Sequence, residues 1–424
     1  MAPTESTPLV RGSGNNGNDR LPTHSPSFPA FARSEQHGAQ VNFASSIWWL
    51  LTSSWINTLL VFVPLGFLAE ILHWPAVAIF SINFLAIIPL AKLLGDCTEQ
   101  ASLKLGQTLG GLLNATFGNA VELIVGIVAL AQGQLRIVQT SLIGSILSNI
   151  LLVLGMSFVA GGIFTSENSF QQTAAQASAS IMTLGCITVA IPAAYQGGQR
   201  MSRLFEQGFE GLIAFDTDKQ TEDGLLFISR GTSIILLCIY VLYLFFQLQT
   251  HAFLYEAEED DQEDEEEMKM TPTAALVGLL AVTVVTSFSA DYLVGAIDEV
   301  ATSYKIPKAF IGTILLPIVA NAAEHTTSVW MAAKNKMEIA LAVALGSSIQ
   351  IAVGVIPALV IAGWVIGQPL TLYFHSFETA ILVAAVLLVN TLVQDGKSNY
   401  MEGAMLCSLY LVAALSFWVQ PQDS

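Results

Sequence analysis

Two short motifs with the pattern Asn-Ala-x-Glu, each inside an apolar stretch, are the residues of this chain best suited to do chemistry. The first is Asn119-Ala-Val-Glu122, and the second, Asn321-Ala-Ala-Glu324, follows at an offset of 202 residues. Each glutamate is followed by a Gly-Ser pair, Gly144-Ser145 in the first copy and Gly346-Ser347 in the second. A carboxylate in hydrocarbon costs several kcal/mol and rarely occurs there without a function. The repetition indicates one shared cation site built by two homologous halves.

The residues around these motifs offer oxygen atoms to a cation. Gly110, Gly111 and Gly118 in the first copy and Pro317 in the second loosen helical hydrogen bonding and free carbonyl groups. Ca²⁺ takes six to eight oxygen ligands at about 2.3–2.6 Å. We predict that Glu122 and Glu324 are the metal-binding carboxylates. The accessory ligands would be the carbonyls near Gly118 and Ala320 and the polar groups of Asn119, Asn321, Ser145, Ser148, Asn149, Ser347 and Gln350.

The number of charges at this site suggests the counter-ion. Two glutamates neutralise one divalent cation, and when it leaves, two bare carboxylates would face each other in a low-dielectric cavity. Desolvation and mutual repulsion would then both favour the protonated forms. Nothing acidic occupies positions 148, 149, 350 or 351, where a sodium exchanger binding several ions would be expected to carry more charge. The pattern therefore favours exchange of Ca²⁺ for H⁺, with no cofactor beyond these transported ions.

Two roles stay open at this stage. His325 follows Glu324 but lies about 100° further round the helix, so it is either a proton relay or a packing histidine. Asn119 and Asn321 are either ligands or caps of the broken helices.

The elements that must position these groups are transmembrane helices. Of the 424 residues, 53% are hydrophobic and only 12% are charged, whereas soluble proteins carry roughly a quarter charged residues. Spanning the hydrocarbon takes about 20 mostly apolar residues. Eleven such runs cover 54–72, 75–95, 107–131, 138–163, 172–195, 226–248, 272–294, 308–333, 338–365, 371–391 and 400–419. The sequence therefore predicts an all-α integral membrane protein in a lipid bilayer.

The eleven runs divide into one extra N-terminal helix and two repeats of five. The match at offset 202 includes Asn, Glu and Gly-Ser in register, which are hard to obtain by chance in a hydrophobic protein. An odd number of helices per repeat makes the two copies enter the membrane from opposite sides, as inverted repeats do in secondary transporters. The predicted organisation is a disordered tail (1–45), the extra helix (54–72), a first repeat (75–248), an acidic linker (249–271) and a second repeat (272–419).

Much of the net charge of −17 comes from the linker. Ten acids between 256 and 267 form either a solvated linker or a segment that concentrates or senses Ca²⁺ weakly. They are Glu256, Glu258, Glu259, Asp260, Asp261, Glu263, Asp264, Glu265, Glu266 and Glu267. This acidic balance gives no indication of nucleic-acid binding.

At these residues the chain resembles the cation/proton exchanger family, which includes the vacuolar Ca²⁺/H⁺ antiporters of fungi and plants. The stretch Leu109-Gly-Gly-Leu-Leu-Asn-Ala-Thr-Phe-Gly-Asn-Ala-Val-Glu-Leu-Ile124 is similar to the first family signature. Leu316-Pro-Ile-Val-Ala-Asn-Ala-Ala-Glu-His325 is similar to the second, and 224–230 and 346–350 are supporting matches. The acidic segment resembles that of the fungal members.

The resemblance implies a ten-helix inverted-repeat core with an extra first helix, as in the wider calcium/cation antiporter superfamily. It also implies exchange of cytosolic Ca²⁺ for vacuolar protons by alternating access, with Glu122 and Glu324 binding the ions. Ser145, Ser347 and Gln350 would be accessory ligands. Ala320 is a departure, since the family often has glycine there, and the helix break at this point is expected to be less flexible.

Several alternatives remain. Mn²⁺/H⁺ or Na⁺/H⁺ exchange is the nearest, because oxygen ligands suit several hard cations. An intramembrane metal-dependent hydrolase would need clustered histidines, and the six here are scattered; we expect no enzyme activity. With the N-terminus and the linker cytosolic, nine of the 16 Lys and Arg residues lie on the cytosolic side, a weak bias in the expected direction. The C-terminus would then be lumenal, in the membrane of an acidic organelle such as the vacuole. Oligomeric state is not predicted.

Overall fold

The computed structural model describes residues 42–216, 219–252 and 268–420, with side chains described except at 106–108, 164, 200, 203 and 206–221. The acidic run 256–267 and residues 1–41 of the predicted tail lie outside the described residues. The first helix begins at Phe43, inside the predicted tail, because Asn42 caps it: the Asn42 side chain accepts a hydrogen bond from the Ser45 amide.

Helices account for nearly all of the described chain. They are α1 (Phe43–Thr52), α2 (Phe62–Ile71), α3 (Ala76–Ser102), α4 (Gly106–Phe117), α5 (Ala120–Ala131), α6 (Leu135–Leu147), α7 (Leu154–Phe164), α8 (Gln172–Asp216), α9 (Lys219–Phe245), α10 (Pro272–Gly295), α11 (Ile297–Tyr304), α12 (Lys308–Phe310), α13 (Leu316–Ala320), α14 (Ala322–Ala333), α15 (Met337–Gln350), α16 (Ile356–Ile366), α17 (Ser376–Leu392) and α18 (Tyr400–Val419).

Shorter segments join several of these helices. A 3₁₀ helix covers Trp55–Val61, and π-helical segments cover Ser148–Val153, Phe246–Thr250, Ile311–Leu315 and Ile351–Val355. The strands β1 (Asn168–Ser169) and β2 (Lys397–Ser398) form one antiparallel pair.

The helices are long and apolar enough to span a membrane, which confirms the predicted fold class. Among the described residues, seven continuous helical stretches qualify, and ten spans result if each of three bent pairs is counted once. Two of the bent pairs coincide with the predicted runs 107–131 and 308–333. In the third pair, the second half (Trp55–Ile71) coincides with the run 54–72, and the first half (Phe43–Thr52) precedes it. The remaining run corresponds to α17, which at 17 residues is shorter than the roughly 20 residues that span the hydrocarbon at right angles.

The connection between the fifth and sixth predicted runs is largely helical. Helix α8 continues beyond its apolar part to Asp216, and α9 begins at Lys219. The polar residues between the two runs therefore extend the helices. No proline after Pro192 interrupts this stretch.

Polar contacts between helix ends indicate which of these ends lie on the same face of the membrane. Eleven crossings would place residues 100, 171, 269 and 397 on one face, here called the near face. Accordingly, Gln100 Oε1 accepts from the amides of Lys269 and Met270 at 2.8 and 3.1 Å. Lys397 Nζ lies 3.0 Å from Glu167 Oε2, beside the β1–β2 pair.

The opposite, far face shows the complementary set. Gln132 Nε2 donates to Asp291 Oδ1 at 2.7 Å. Arg136, at the start of α6, forms a two-pronged ion pair with the buried Glu378 at the start of α17. These contacts fit eleven alternating crossings, so the stretch α4–α5 runs from near to far face and its counterpart α12–α14 runs from far to near. The two repeats are therefore inverted.

Candidate cation site at the two helix breaks

An asparagine breaks the helix just before each intramembrane glutamate. Asn119 (φ −107°, ψ 33°) separates α4 from α5, and the two halves meet at 46°. Asn321 (φ −87°, ψ 15°) separates α13 from α14, and the corresponding angle is 58°. Glu122 and Glu324 consequently lie in the first turns of α5 and α14. Helix N-termini carry partial positive charge, so each break places a carboxylate where the backbone favours an anion.

The two asparagines hold the repeats together across the site. Asn119 Nδ2 donates to Gln350 Oε1 at 2.6 Å, and Asn321 Nδ2 donates to the Ser145 carbonyl at 3.2 Å. Each asparagine of one repeat thus contacts the Gly-Ser helix of the other repeat. Because both NH₂ groups are used in this way, both amide oxygens remain available.

Four buried oxygens near the breaks have no hydrogen-bond partner among the described residues. They are Glu122 Oε1, Glu324 Oε2, Asn119 Oδ1 and Asn321 Oδ1, two symmetric pairs. Glu122 is only 6% exposed, and the two carboxylates are close enough for their charges to interact. Leaving such groups unpaired costs free energy, which a bound cation or proton would relieve.

On the far side of the breaks, the helices are tightly packed. A Cβ atom on Gly144 of α6 would collide with the Thr313 carbonyl and with Pro317, and one on Gly312 would collide with Thr140. Glu122 and Ser145 line a cavity of about 20 Å³, roughly the size that holds a single water molecule.

On the near side, the helices are not tightly packed at the equivalent position. Gly346 is the counterpart of Gly144, yet a Cβ atom there would meet no atom within 4 Å. A cleft of about 360 Å³ between α8, α9 and α15 extends from Glu338 to Gly346. Gly118 is exposed and Glu324 is half-buried. The site is therefore closed towards the far face and loosely packed towards the near face.

The other predicted ligands are placed less uniformly. Ser347 is half-buried beside Gly346, and its carbonyl caps α15 by accepting from the Ile351 amide. Ser148 faces Tyr410 of α18. Asn149 is fully buried, and neither amide atom has a partner among the described residues.

The His325 ring contacts the backbone carbonyl of Asn321, one helical turn earlier. Its Nδ1 bonds the Asn321 carbonyl, which makes Nδ1 the protonated nitrogen of the neutral ring. Nε2 is buried and has no partner within the described part of the chain. The ring therefore stabilises the helix break and leaves one nitrogen able to accept a proton, so neither of its two predicted roles is eliminated.

Two residues near the site were not expected from sequence. Ser141 lines the small cavity with Glu122, one turn before Ser145, and its spacing of four was a usable signal. Tyr240 of α9 donates a hydrogen bond to the Ala115 carbonyl of α4 at 3.2 Å. No local pattern connects positions 125 residues apart, so that contact required the fold.

Comparison with known proteins decides the family. The model of the sodium/calcium exchanger protein family matches residues 75–249 and 274–419. The chain belongs to this family. The two matched segments of this sodium/calcium exchanger family member lie close to the two predicted repeats, and the resemblance noted from sequence is confirmed.

Curated relatives share much of this chain's length. The vacuolar calcium ion transporter of Schizosaccharomyces pombe is 46% identical over 377 residues, covering 88% of this chain and 87% of the relative. The Ca²⁺/H⁺ antiporter of Aphanothece halophytica is 40% identical, covering 86% and 96%. The vacuolar cation/proton exchanger 2 of Oryza sativa subsp. japonica is 41% identical, covering 93% and 89%.

Solved structures agree on the fold. Native YfkE superposes with a TM-score of 0.69 at 34% identity, covering 86% of this exchanger family member and all of that chain. The H⁺/Ca²⁺ exchanger CAX superposes with a TM-score of 0.63, and at 12% identity this match speaks for the fold alone.

Proposed function

We propose that this protein exchanges cytosolic Ca²⁺ for protons of an acidic organelle, with Glu122 and Glu324 binding Ca²⁺ and protons in turn. The observation that carries this proposal is the set of four unpartnered buried oxygens in two symmetric pairs, on Glu122, Glu324, Asn119 and Asn321. Its relatives are named as calcium transporters and Ca²⁺/H⁺ antiporters, which supports the same reaction.

Calcium fits the type and charge of these groups. Carboxylate, amide and carbonyl oxygens are the ligands of hard cations, and two carboxylates neutralise one Ca²⁺. Among the described residues, no cluster of three or more His, Cys, Asp or Glu side chains offers a metal site. A transport site needs only two acids and neutral oxygens, and the groups at the two helix breaks are of these types.

Protons are the natural replacement when Ca²⁺ leaves. Glu122 is buried and Glu324 is half-buried, their charges interact, and a low-dielectric site with two like charges favours protonation of at least one. Protonated carboxyls can donate hydrogen bonds, and the free oxygens of Asn119 and Asn321 are suitable acceptors. The same four groups would thus be satisfied in both the calcium-bound and the proton-bound forms.

Alternating access would follow from the inverted repeats. In the present structure Gly346 is loosely packed on the near side and Gly144 is tightly packed on the far side. Exchanging the conformations of the two repeats would pack Gly346 and release Gly144, and would expose the site to the far face. We assign the near face to the cytosol, because it carries the N-terminus, the acidic linker and most Lys and Arg residues.

The vacuolar membrane is the proposed location. The relatives from Schizosaccharomyces pombe and Oryza sativa subsp. japonica are named as vacuolar transporters, and the apolar helices support a multi-pass membrane protein. With the near face cytosolic, α18 ends in the lumen and the C-terminus is lumenal.

The deciding experiment is uptake of ⁴⁵Ca²⁺ into proteoliposomes with an acidic interior. We expect uptake that depends on the pH gradient and stops when an ionophore collapses it. Excess Mn²⁺ or Na⁺ outside serves as a competitor for the alternative cargoes. Ca²⁺ uptake that persists without the gradient, or uptake that requires a Na⁺ gradient, would overturn the proposal.

A further inference from the structure

A tyrosine covers each π-helical segment that follows the site. The segment Ile351–Val355 of the second repeat lies against Tyr240 of α9, whose ring would be 3.2 Å from a Cβ atom on Gly354. The segment Ser148–Val153 of the first repeat lies against α18, where the Tyr410 hydroxyl faces Ser148. Tyr410 is 3% exposed. In both cases the last helix of one repeat covers the other repeat.

The same two helices also touch the broken helix of their own repeat. Leu248, eight residues after Tyr240 in the π-helical segment that continues α9, lies against Gly111 of α4. Trp418, eight residues after Tyr410, packs edge-on against Phe310 of α12 at 4.9 Å between ring centroids. The equal spacing gives Tyr240 and Tyr410 similar positions in the inverted repeats, although the two contacts on the broken helices differ by one turn: at offset 202, Gly111 corresponds to Thr313, three residues after Phe310.

The two hydroxyls nevertheless differ in what they bind. Tyr240 donates to the Ala115 carbonyl of α4, four residues before the break at Asn119. The counterpart of Ala115 is Pro317, whose carbonyl instead accepts from the Asn321 amide at 2.9 Å. Tyr410 faces Ser148, but neither hydroxyl makes a hydrogen bond of good geometry within the described chain.

We propose that Tyr240 and Tyr410 are opposed positioning residues that stabilise the two access states of the transporter. The Tyr240 bond to Ala115 holds α4 in the near-open arrangement. In the far-open arrangement the repeats exchange roles, so Tyr410 bonds the Pro317 carbonyl while Tyr240 releases Ala115. This inference rests on the proposed alternating access, and each hydroxyl alternates between a partnered and an unpartnered state.

The test measures the minor, far-open population directly. Ser141 lines the small cavity on the far side of Ser145, so a cysteine there should react with a membrane-impermeant maleimide mainly in the far-open state. The Ser141→Cys reporter is placed in a chain whose four native cysteines are replaced by alanine. Labelling rates are measured in nanodiscs without Ca²⁺, so the readout does not depend on transport.

The matched variants are Tyr240→Phe and Tyr410→Phe, which keep the rings and remove the hydroxyls. A hydrogen bond of ordinary strength shifts a population roughly two- to tenfold. We expect Tyr240→Phe to raise the labelling rate by about that factor and Tyr410→Phe to lower it, because they weaken opposite states. Tyr292→Phe is the control: it also removes a tyrosine hydroxyl and keeps a ring that packs on Phe67, and it should leave the labelling rate unchanged.

Changes of opposite sign in the labelling rate show that each tyrosine stabilises a different access state. A general loss of packing would change both rates in the same direction. Equal shifts in the same direction, or no shift in either variant, would overturn the proposal. If Tyr240→Phe does not give a monodisperse protein, a rate in Tyr410→Phe that is not lowered is sufficient to overturn it. If the labelling rates change as expected but the protein does not exchange ⁴⁵Ca²⁺ for protons, the proposed function is wrong and the role of the tyrosines stands.

Discussion

Asn119 and Gln350, 231 positions apart in the chain, form a 2.6 Å hydrogen bond across the interface between the inverted repeats. The amide of Asn119 donates, so its own oxygen points away from Gln350 and stays unpaired. Asn321 repeats this arrangement with the carbonyl of Ser145. The two asparagines thus join the repeats with their nitrogens and offer their oxygens to the site.

Removing either asparagine should weaken Ca²⁺ binding. Asn119→Ala and Asn321→Ala each delete one oxygen and one bond between the repeats, and unmade polar contacts of this kind cost about 1–3 kcal/mol. We expect the half-saturating Ca²⁺ concentration for ⁴⁵Ca²⁺ uptake to rise roughly five- to hundredfold.

Asn390→Ala is the matched control for these two variants. Asn390 also donates a hydrogen bond between helices, to Thr183, but it touches none of the candidate ligands. Its half-saturating concentration should stay close to that of the wild type. Equal effects of all three substitutions would mean that Asn119 and Asn321 are only structural.

The pair Gly144 and Gly346 should respond differently to the same added methyl group. In Gly144→Ala the Cβ atom meets the Thr313 carbonyl and Pro317, and overpacking of this kind costs about 1–3 kcal/mol. Gly346→Ala meets open space, so its thermal unfolding should match the wild type. Its maximal transport rate should nevertheless fall, since the far-open state requires Gly346 to pack. A Gly346→Ala variant with normal turnover would contradict the inverted exchange of packing.

The far-face ion pair between Arg136 and Glu378 should be a strong structural contact. Glu378 is fully buried, and removing one partner of a buried pair costs about 3–5 kcal/mol. Arg136→Gln should therefore lower the apparent unfolding temperature by several degrees in a thermal shift assay. Lys397→Gln, which breaks the exposed pair with Glu167, is the control and should have little effect. Equal shifts would contradict the assignment.

The acidic run at 256–267 should act on Ca²⁺ at long range, through its charge. Replacing its ten acids by Asn and Gln removes negative charge from the cytosolic side and should raise the half-saturating Ca²⁺ concentration at low ionic strength only. Above about 0.15 M salt the Debye length is roughly 8 Å, and the difference from the wild type should vanish. A difference that persists in high salt would indicate direct binding of Ca²⁺ by this segment.

The helical membrane fold and the position of the two glutamates could be predicted from sequence because hydrocarbon penalises both polar backbone and charge. Long apolar runs must then be helices, and Glu122 and Glu324 must have a purpose. The match of Asn, Glu and Gly-Ser at an offset of 202 residues predicted the repeat, and the odd number of helices in each copy predicted its inversion. The paired use of Asn119 and Asn321 could not be predicted, since each was equally plausible as a ligand or a cap.

The remainder depends on contacts between distant segments. Ser148 satisfied the same helical spacing as Asn149, yet its hydroxyl faces Tyr410 of α18, a direction that periodicity within one helix does not determine. The contrast between Gly144 and Gly346 was also unpredictable, because it depends on distant segments: Thr313 and Pro317 lie against Gly144, whereas a Cβ atom on Gly346 would meet no atom within 4 Å. The helical extension of α8 to Asp216 shows that polar composition alone does not indicate a loop.

The central claim is that Glu122 and Glu324 carry Ca²⁺ and protons in turn. It is tested most directly by recording Ca²⁺ entry and H⁺ exit together in acid-loaded proteoliposomes bearing Glu122→Gln or Glu324→Gln. Glu299→Gln, which changes an exposed glutamate, is the matched control. We predict that either site substitution abolishes both fluxes while Glu299→Gln leaves them coupled. Unimpaired exchange of Ca²⁺ for H⁺ in Glu122→Gln or in Glu324→Gln would contradict the account.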